Sequence, residues 1–171
     1  MTDLNKYTIA VLVRNQFGVL NRVTSMFRRR QFNISALSVS ETETYEYSRI
    51  TVTFSGEETA KQQLVNQLYK LPDVYSIKEF TPDNTVSCEL LLIKMKNEAA
   101  TRDEIHAAVV GFGAETVDYS KESIVFRLSA DTRKIDDFVN IMRDFTILEI
   151  CRTGSVSLEK GSTTIKQIIN Y

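Results

Sequence analysis

The residues with the most chemical promise stand together in one short stretch, Arg14-Asn15-Gln16-Phe17-Gly18-Val19-Leu20. It joins an alternating, strand-like run to the start of a helical stripe. The backbone N–H groups at a helix N-terminus lack intrahelical partners, and together they suit a carboxylate. Gly18 allows close backbone approach where a Cβ would intrude. Asn15 offers an amide donor and an acceptor, a match for a molecule with an ammonium and a carboxylate on one carbon. Phe17, Val19 and Leu20 add a small apolar surround. The chemistry this predicts is capture of a small aliphatic α-amino acid. The same Asn-x-x-Gly pattern also makes an ordinary turn and helix cap, and the residues alone leave both readings open.

Little else in the chain competes. Among 171 residues there are one histidine, two cysteines and no tryptophan. A zinc site usually draws several His and Cys ligands, and a Ser-His-Asp relay would have only His106 to use. No catalytic residue and no metal ligand is therefore expected, and His106 reads as a surface or half-buried side chain. Cys88 and Cys151 lack CxxC spacing and read as two small buried thiols of a reducing compartment. Lys+Arg total 21 against 22 Asp+Glu, a net charge of -1, so the whole surface has no phosphate-tracking field. The one basic run, Arg28-Arg29-Arg30, reads as a solvated helix face. Neither nucleic acid nor membrane is expected as a partner. Met1-Thr2-Asp3-Leu4-Asn5-Lys6 has no apolar leader core, and no apolar run approaches the ~18 residues of a span, so a cytoplasmic protein is expected.

The elements that position the turn follow from hydrophobic period. Tyr7, Ile9, Val11 and Val13 alternate along Tyr7–Arg14, with Ala10 and Leu12 making its other face partly apolar. Leu20, Val23 and Phe27 then form a helical stripe that ends near Gln31. Two strands, Ile34–Ser40 and Arg49–Phe54, flank the polar stretch Glu41–Glu46. A second helix, striped by Ala60, Leu64, Leu68 and Leu71, begins after Gly56 and stops at Pro72, and Val74–Phe80 is β-rich. After Pro82-Asp83-Asn84 the order repeats. Cys88–Met95 is a strand, Thr101 with Glu104 forms a capping-box pattern before a helix carrying Ile105, Val109 and Phe112, and Glu115–Tyr119 with Ser123–Leu128 make a hairpin. A fourth helix has the stripe Ile135, Phe138, Val139 and Met142 behind an Asp131 or Thr132 cap, and Ile147–Arg152 closes the pattern.

The fold class is α+β, two tandem ferredoxin-like β-α-β-β-α-β units. The expected division is 1–82, 83–161 and a tail at 162–171. Units of ~80 residues are only marginally stable alone, so mutual packing or oligomerisation is expected, with the outer sheet face of the first unit as the place. Gly161–Tyr171, polar apart from Ile165, Ile168 and Ile169, reads as a frayed tail.

Leu12 to Val23 and Met26 to Val39 resemble the ACT-domain signature of the regulatory small subunit of acetolactate synthase (acetohydroxyacid synthase). Arg102-Asp103-Glu104-Ile105, Ser123–Leu128 and Glu149-Ile150-Cys151-Arg152-Thr153-Gly154 resemble that subunit's C-terminal domain. The resemblance covers the chain to about Gly161. It implies a non-catalytic subunit that binds and activates the large catalytic subunit, and confers feedback inhibition by a branched-chain amino acid, valine above leucine or isoleucine. Thiamine diphosphate, Mg and FAD would belong to the large subunit, with no cofactor in this chain. It further implies a homodimer through ACT domains holding the effector at the interface. Carried over by position, Asn15, Gln16, Phe17, Gly18, Val19 and Leu20 of one chain would meet Asn33 and Ile34 of the other. Two departures stand out. The family commonly has glycine in place of Gln31, which predicts a remodelled helix end, and often Glu-Ser in place of Ser35-Ala36, which bears on effector identity and affinity.

Two other readings fit less well. An RNA-recognition motif shares the element order, but Arg49–Phe54 lacks the glycine and paired aromatics of its third strand. An ACT sensor of some other enzyme would leave the likeness of residues 85–160 unexplained.

Overall fold

The computed structural model describes residues 5–168. Among them the chain forms nine strands, four α-helices and two short 3-10 turns, and it divides into two compact units. The first comprises the described residues up to Val86 together with those from Val156 on, and the second is Ser87–Ser155. The architecture is α+β, with the β-α-β-β-α-β order occurring twice. Among the described residues no helix is long and apolar enough to cross a membrane.

In the first unit β1 (Asn5–Arg14), α1 (Val19–Arg29), β2 (Asn33–Glu41), β3 (Tyr47–Gly56), α2 (Glu58–Leu68) and β4 (Val74–Glu79) build an antiparallel sheet of order β2-β3-β1-β4. Period-2 alternation sends Ile9, Val11 and Val13 of β1 and Ile50, Val52 and Phe54 of β3 into one core with Val23 and Phe27 of α1 and Leu64 and Leu68 of α2. Phe27, Phe32 and Phe54 meet edge to face, with centroids 5.1–6.5 Å apart. Gly56 lies beneath that cluster, and a Cβ there would fall 2.4 Å from the Phe32 ring.

Ala10 and Leu12 point to the opposite face of the sheet and are nevertheless buried. The segment expected to fray folds onto that face. After β9 (Val156–Glu159), a 3-10 turn at Ile165–Ile168 lies against β4. Ser76 Oγ donates to Ile165 O at 2.6 Å, Arg49 Nη2 donates to Ser157 O, and Lys78 pairs with Glu159 at 2.7 Å. Lys166 Nζ reaches both Glu43, at 2.6 Å, and Thr44 Oγ1, at 2.7 Å. The sheet face expected to await another unit or another chain is thus covered in part by the chain's own residues 156–168. The anchors are polar groups far away in sequence, so no local period announces them. Ile169–Tyr171, and with them the end of the expected tail, lie outside the described residues, as do Met1–Leu4.

In the second unit β5 (Thr85–Lys96), α3 (Arg102–Phe112), β6 (Glu115–Tyr119), β7 (Ser123–Ala130), α4 (Thr132–Met142) and β8 (Ile147–Arg152) repeat the arrangement in the order β6-β7-β5-β8. Leu91, Ile93, Met95, Ile105, Val109, Phe126, Leu128 and Phe138 fill its core. Asp131 caps α4, accepting from Lys134 N at 2.9 Å. Thr101 precedes α3 but makes no side-chain cap bond. Its backbone is already helical (φ -112°, ψ -4°) rather than extended, which takes its hydroxyl away from the free N–H groups. Cys88 and Cys151 are both exposed, contrary to the buried thiols expected. The pleat explains this. Glu89, Leu91, Ile93 and Met95 take the inner positions of β5, so Cys88 faces out, and Cys151 is paired with outward-facing Leu92. Glu89 is a buried carboxylate, clasped by Arg152 at 2.6 and 3.1 Å, and Arg152 also reaches Asp136 at 2.8 Å.

Candidate functional site

β1 delivers the chain to the turn and α1 carries it away. Arg14 N donates to Asp73 O at 2.9 Å and Asn15 N to Glu46 O at 2.8 Å, fixing the strand end between two neighbouring loops. Gly18 is the N-cap of α1 with φ 80° and ψ -9°, a left-handed conformation that glycine adopts without strain. The first helical bond is Arg22 N to Gly18 O at 3.0 Å, and Val19 N bonds Gln16 O at 3.3 Å. The N–H groups of Gly18, Leu20 and Asn21 have no hydrogen-bond acceptor among the described residues. They form a cluster of free donors at the positive end of the α1 dipole.

Two guanidinium groups flank the turn, together with the carboxylates of Asp73 and Glu41. Arg14 Nε and Nη2 donate to Tyr75 Oη at 3.1 and 3.0 Å, and this hydrogen bond pushes the guanidinium pKa further up. Arg22 is held by Asp73 at 2.6 Å, and its Nη1 lies 3.4 Å from where a Gly18 Cβ would stand. A carboxylate at the turn meets backbone donors first and guanidinium groups beyond them.

Asn15 differs from its expected role. Its Nδ2 donates to Glu41 Oε1 at 3.1 Å and to Tyr45 O at 2.9 Å, so both amide hydrogens are engaged within the chain. Only Oδ1 is open to a ligand, and Oδ1 accepts. Nothing in the turn's own residues announces Glu41 and Tyr45. The polar run Glu41–Glu46 signals a loop but not its placement beside β1, which follows only from the pairing of Arg14 with Tyr47.

The remaining site candidates lie on β2, an edge strand of the sheet. Asn33 is exposed, and Ile34 is half-buried against the chain's own core opposite Phe54. Ser35 sits at a register shift between Ile34 and Ala36 and donates Oγ to Thr53 O at 3.1 Å. Phe17 is fully exposed, Val19 is buried, and Leu20, Leu37 and Val39 are large apolar side chains left open to solvent. The turn and β2 thus present apolar groups alongside an unpaired strand edge, an arrangement that proteins normally cover.

Gln31 occupies the left-handed region with φ 58°, the one non-glycine residue with positive φ among those described. The helix end is not remodelled. Gln31 N bonds Arg28 O at 3.1 Å, Phe32 N bonds Phe27 O at 3.0 Å, and the Phe27 and Phe32 rings pack, the complete closure of a Schellman motif with glutamine in the glycine position.

Comparison with known proteins places both units in one family. The family model described as the AHAS small subunit-like ACT domain matches residues 9–76, and that described as the small subunit of acetolactate synthase matches residues 88–161. The acetolactate synthase small subunit of Mycobacterium leprae is 41% identical over 161 residues, covering 94% of this chain and 95% of that one. The probable acetolactate synthase small subunit of Archaeoglobus fulgidus is 39% identical over 157 residues, covering 92% and 98%. The crystal structure of the Thermotoga maritima acetolactate synthase small subunit superposes with a TM-score of 0.83 at 30% identity, covering 93% of this chain and 99% of that one. From its first unit through its second, the chain belongs to the acetolactate synthase small-subunit family.

Proposed function

We propose that this regulatory subunit binds the large catalytic subunit of acetolactate synthase, raises its activity and makes it sensitive to a branched-chain amino acid, valine first. The observation that carries the effector part is the α1 N-terminus. Free N–H groups of Gly18, Leu20 and Asn21 receive the effector carboxylate, and Asn15 Oδ1 accepts from its ammonium. Phe17 and Leu20 supply apolar contact for a branched side chain, with Gln16 and Val19 shaping the turn around them.

The open edge of β2 supports pairing of two copies through their first units. Leu37 and Val39, exposed in the single chain, become covered in the dimer, and Asn33 and Ile34 of one copy face the turn of the other. Regulation then follows from unequal effector affinity for two subunit arrangements. A coupling of ~1–3 kcal/mol corresponds to a roughly 5- to 150-fold change in affinity. Calorimetric titration of the purified chain with valine, leucine and isoleucine tests the site. Saturable heat with valine is expected, and absence of heat with all three would remove the turn from consideration as an effector site in the free subunit.

A further inference from the structure

A cavity of about 400 Å³ lies on the face of the first sheet away from the helices, roofed by the segment after β9. That volume is within the ~300–1,000 Å³ of small-molecule sites. Its apolar wall includes Leu12, Phe80, Leu158 and Ile165, and Arg49 projects into it from β3.

Three acidic and three basic side chains line it, but they do not all pair. Glu43 is paired with Lys166 at 2.6 Å, Glu159 with Lys78 at 2.7 Å, and Glu41 already accepts from Asn15. Arg49 has no carboxylate within ion-pair distance among the described residues. Its guanidinium donates to Ser157 O and stands 5.7 Å from the Phe80 ring centroid. It is half-buried, and burial lowers its pKa, with only the already paired Glu43 acting against that. A guanidinium withdrawn from water without a counter-ion is a costly arrangement that an anion would relieve.

We infer that this cavity binds a small organic monocarboxylate, its carboxylate on Arg49 and its apolar tail against Phe80, Leu158 and Ile165. A zwitterion fits worse, because Glu43 and Glu159 are each held by a lysine and Glu41 is already turned to the Asn15 amide. The site lies on the other face of the sheet from the core that α1 covers, and it does not depend on the effector reading of the α1 turn.

The test is titration of the full chain with 3-methylbutanoate, followed by backbone NMR. Saturable binding is expected, with shifts at Leu12, Phe80 and Ile165, and it persists when the chain is first saturated with valine. Arg49→Gln weakens it at least about tenfold, equivalent to ~1.4 kcal/mol, and Arg49→Lys, which keeps the charge without the planar fork, weakens it less. The neutral isostere 3-methylbutan-1-ol does not bind. The inference is overturned if 3-methylbutanoate gives no saturable response, if its shifts fall on Phe17–Leu20, or if Arg49→Gln, its spectrum showing an intact fold, binds as the parent does. Inorganic phosphate binding at Arg49 as tightly as 3-methylbutanoate also overturns it, because the apolar wall would then play no part.

Discussion

Replacing Gly18 by two residues of different charge separates backbone strain from effector recognition. At φ 80° any L side chain is strained, by ~1–2 kcal/mol, so Gly18→Ala and Gly18→Asp lose similar stability. Free and effector-bound protein carry that strain alike, and whatever the new Cβ costs in contact with the effector is common to Gly18→Ala and Gly18→Asp. The aspartate adds a charge. With ~4–5 Å between its carboxylate and that of the effector, and an effective dielectric of ~20, repulsion amounts to about 3–4 kcal/mol. Arg22 Nη1, 3.4 Å from the new Cβ, offsets part of this. A net penalty of ~1.5–3 kcal/mol corresponds to a roughly 10- to 150-fold loss of affinity. Calorimetry with valine gives the affinities, and thermal denaturation without valine gives the shared strain. Equal valine affinity in Gly18→Ala and Gly18→Asp would refute placement of the effector carboxylate at the α1 N-terminus.

Three other outcomes follow from the packing. Gln31→Gly removes the left-handed penalty at the end of α1 in exchange for the larger backbone entropy of glycine, a net stabilisation of about 0.5–1 kcal/mol, read as a raised urea midpoint; a lowered midpoint contradicts it. Glu89→Ala strands the Arg152 guanidinium on Asp136 alone and weakens the second unit by about 3 kcal/mol, the low end for a broken buried pair because Arg152 is partly exposed; hydrogen exchange in β5 and β8 reads this, and unchanged protection contradicts it. Hydrogen bonds from Lys166 and Lys61 hold the Glu43 and Glu58 carboxyls below the usual carboxylate range. Their contribution to stability is therefore present above the unfolded carboxylate pKa of about 4.3 and is lost as pH falls through the lower folded values. Lys61→Met should remove the Glu58 part of this acid limb and leave the Glu43 part, which Lys166 supplies, so that denaturant midpoints fall less steeply below about pH 4.3 than in the parent; an unchanged slope contradicts it.

Most of the eight strands and four helices of the repeated pattern were legible because they carry a period, 2 or 3.6, over enough residues to repeat, while Val74–Phe80 and Glu115–Tyr119 were placed by composition and by the repeated order. The covering segment was not legible. Val156, Leu158 and Ile165 establish no period, and what holds the segment down is Ser76, Arg49, Lys78 and Glu43, known only from tertiary structure. At Gln31 residue preference pointed one way and packing the other, and the closure of Phe32 onto Phe27 prevailed. At Thr101 the residue types suited a capping box, but the backbone entered the helix too early for the hydroxyl to cap. In the turn, the open backbone at Gly18 could be read from residue type, while its left-handed conformation shows only in the structure. The acceptor role of Asn15 could not be read either, because Glu41 and Tyr45 reach it from another loop.

The rate of acetolactate formation by the cognate large subunit, measured alone, with this chain, and with this chain plus valine, tests the proposed role most directly. Stimulation by the chain and its reversal by valine are the predicted results, with the reversal weakened in Gly18→Asp relative to Gly18→Ala. A large subunit whose rate is the same with and without the chain would contradict the account, whatever the chain binds by itself.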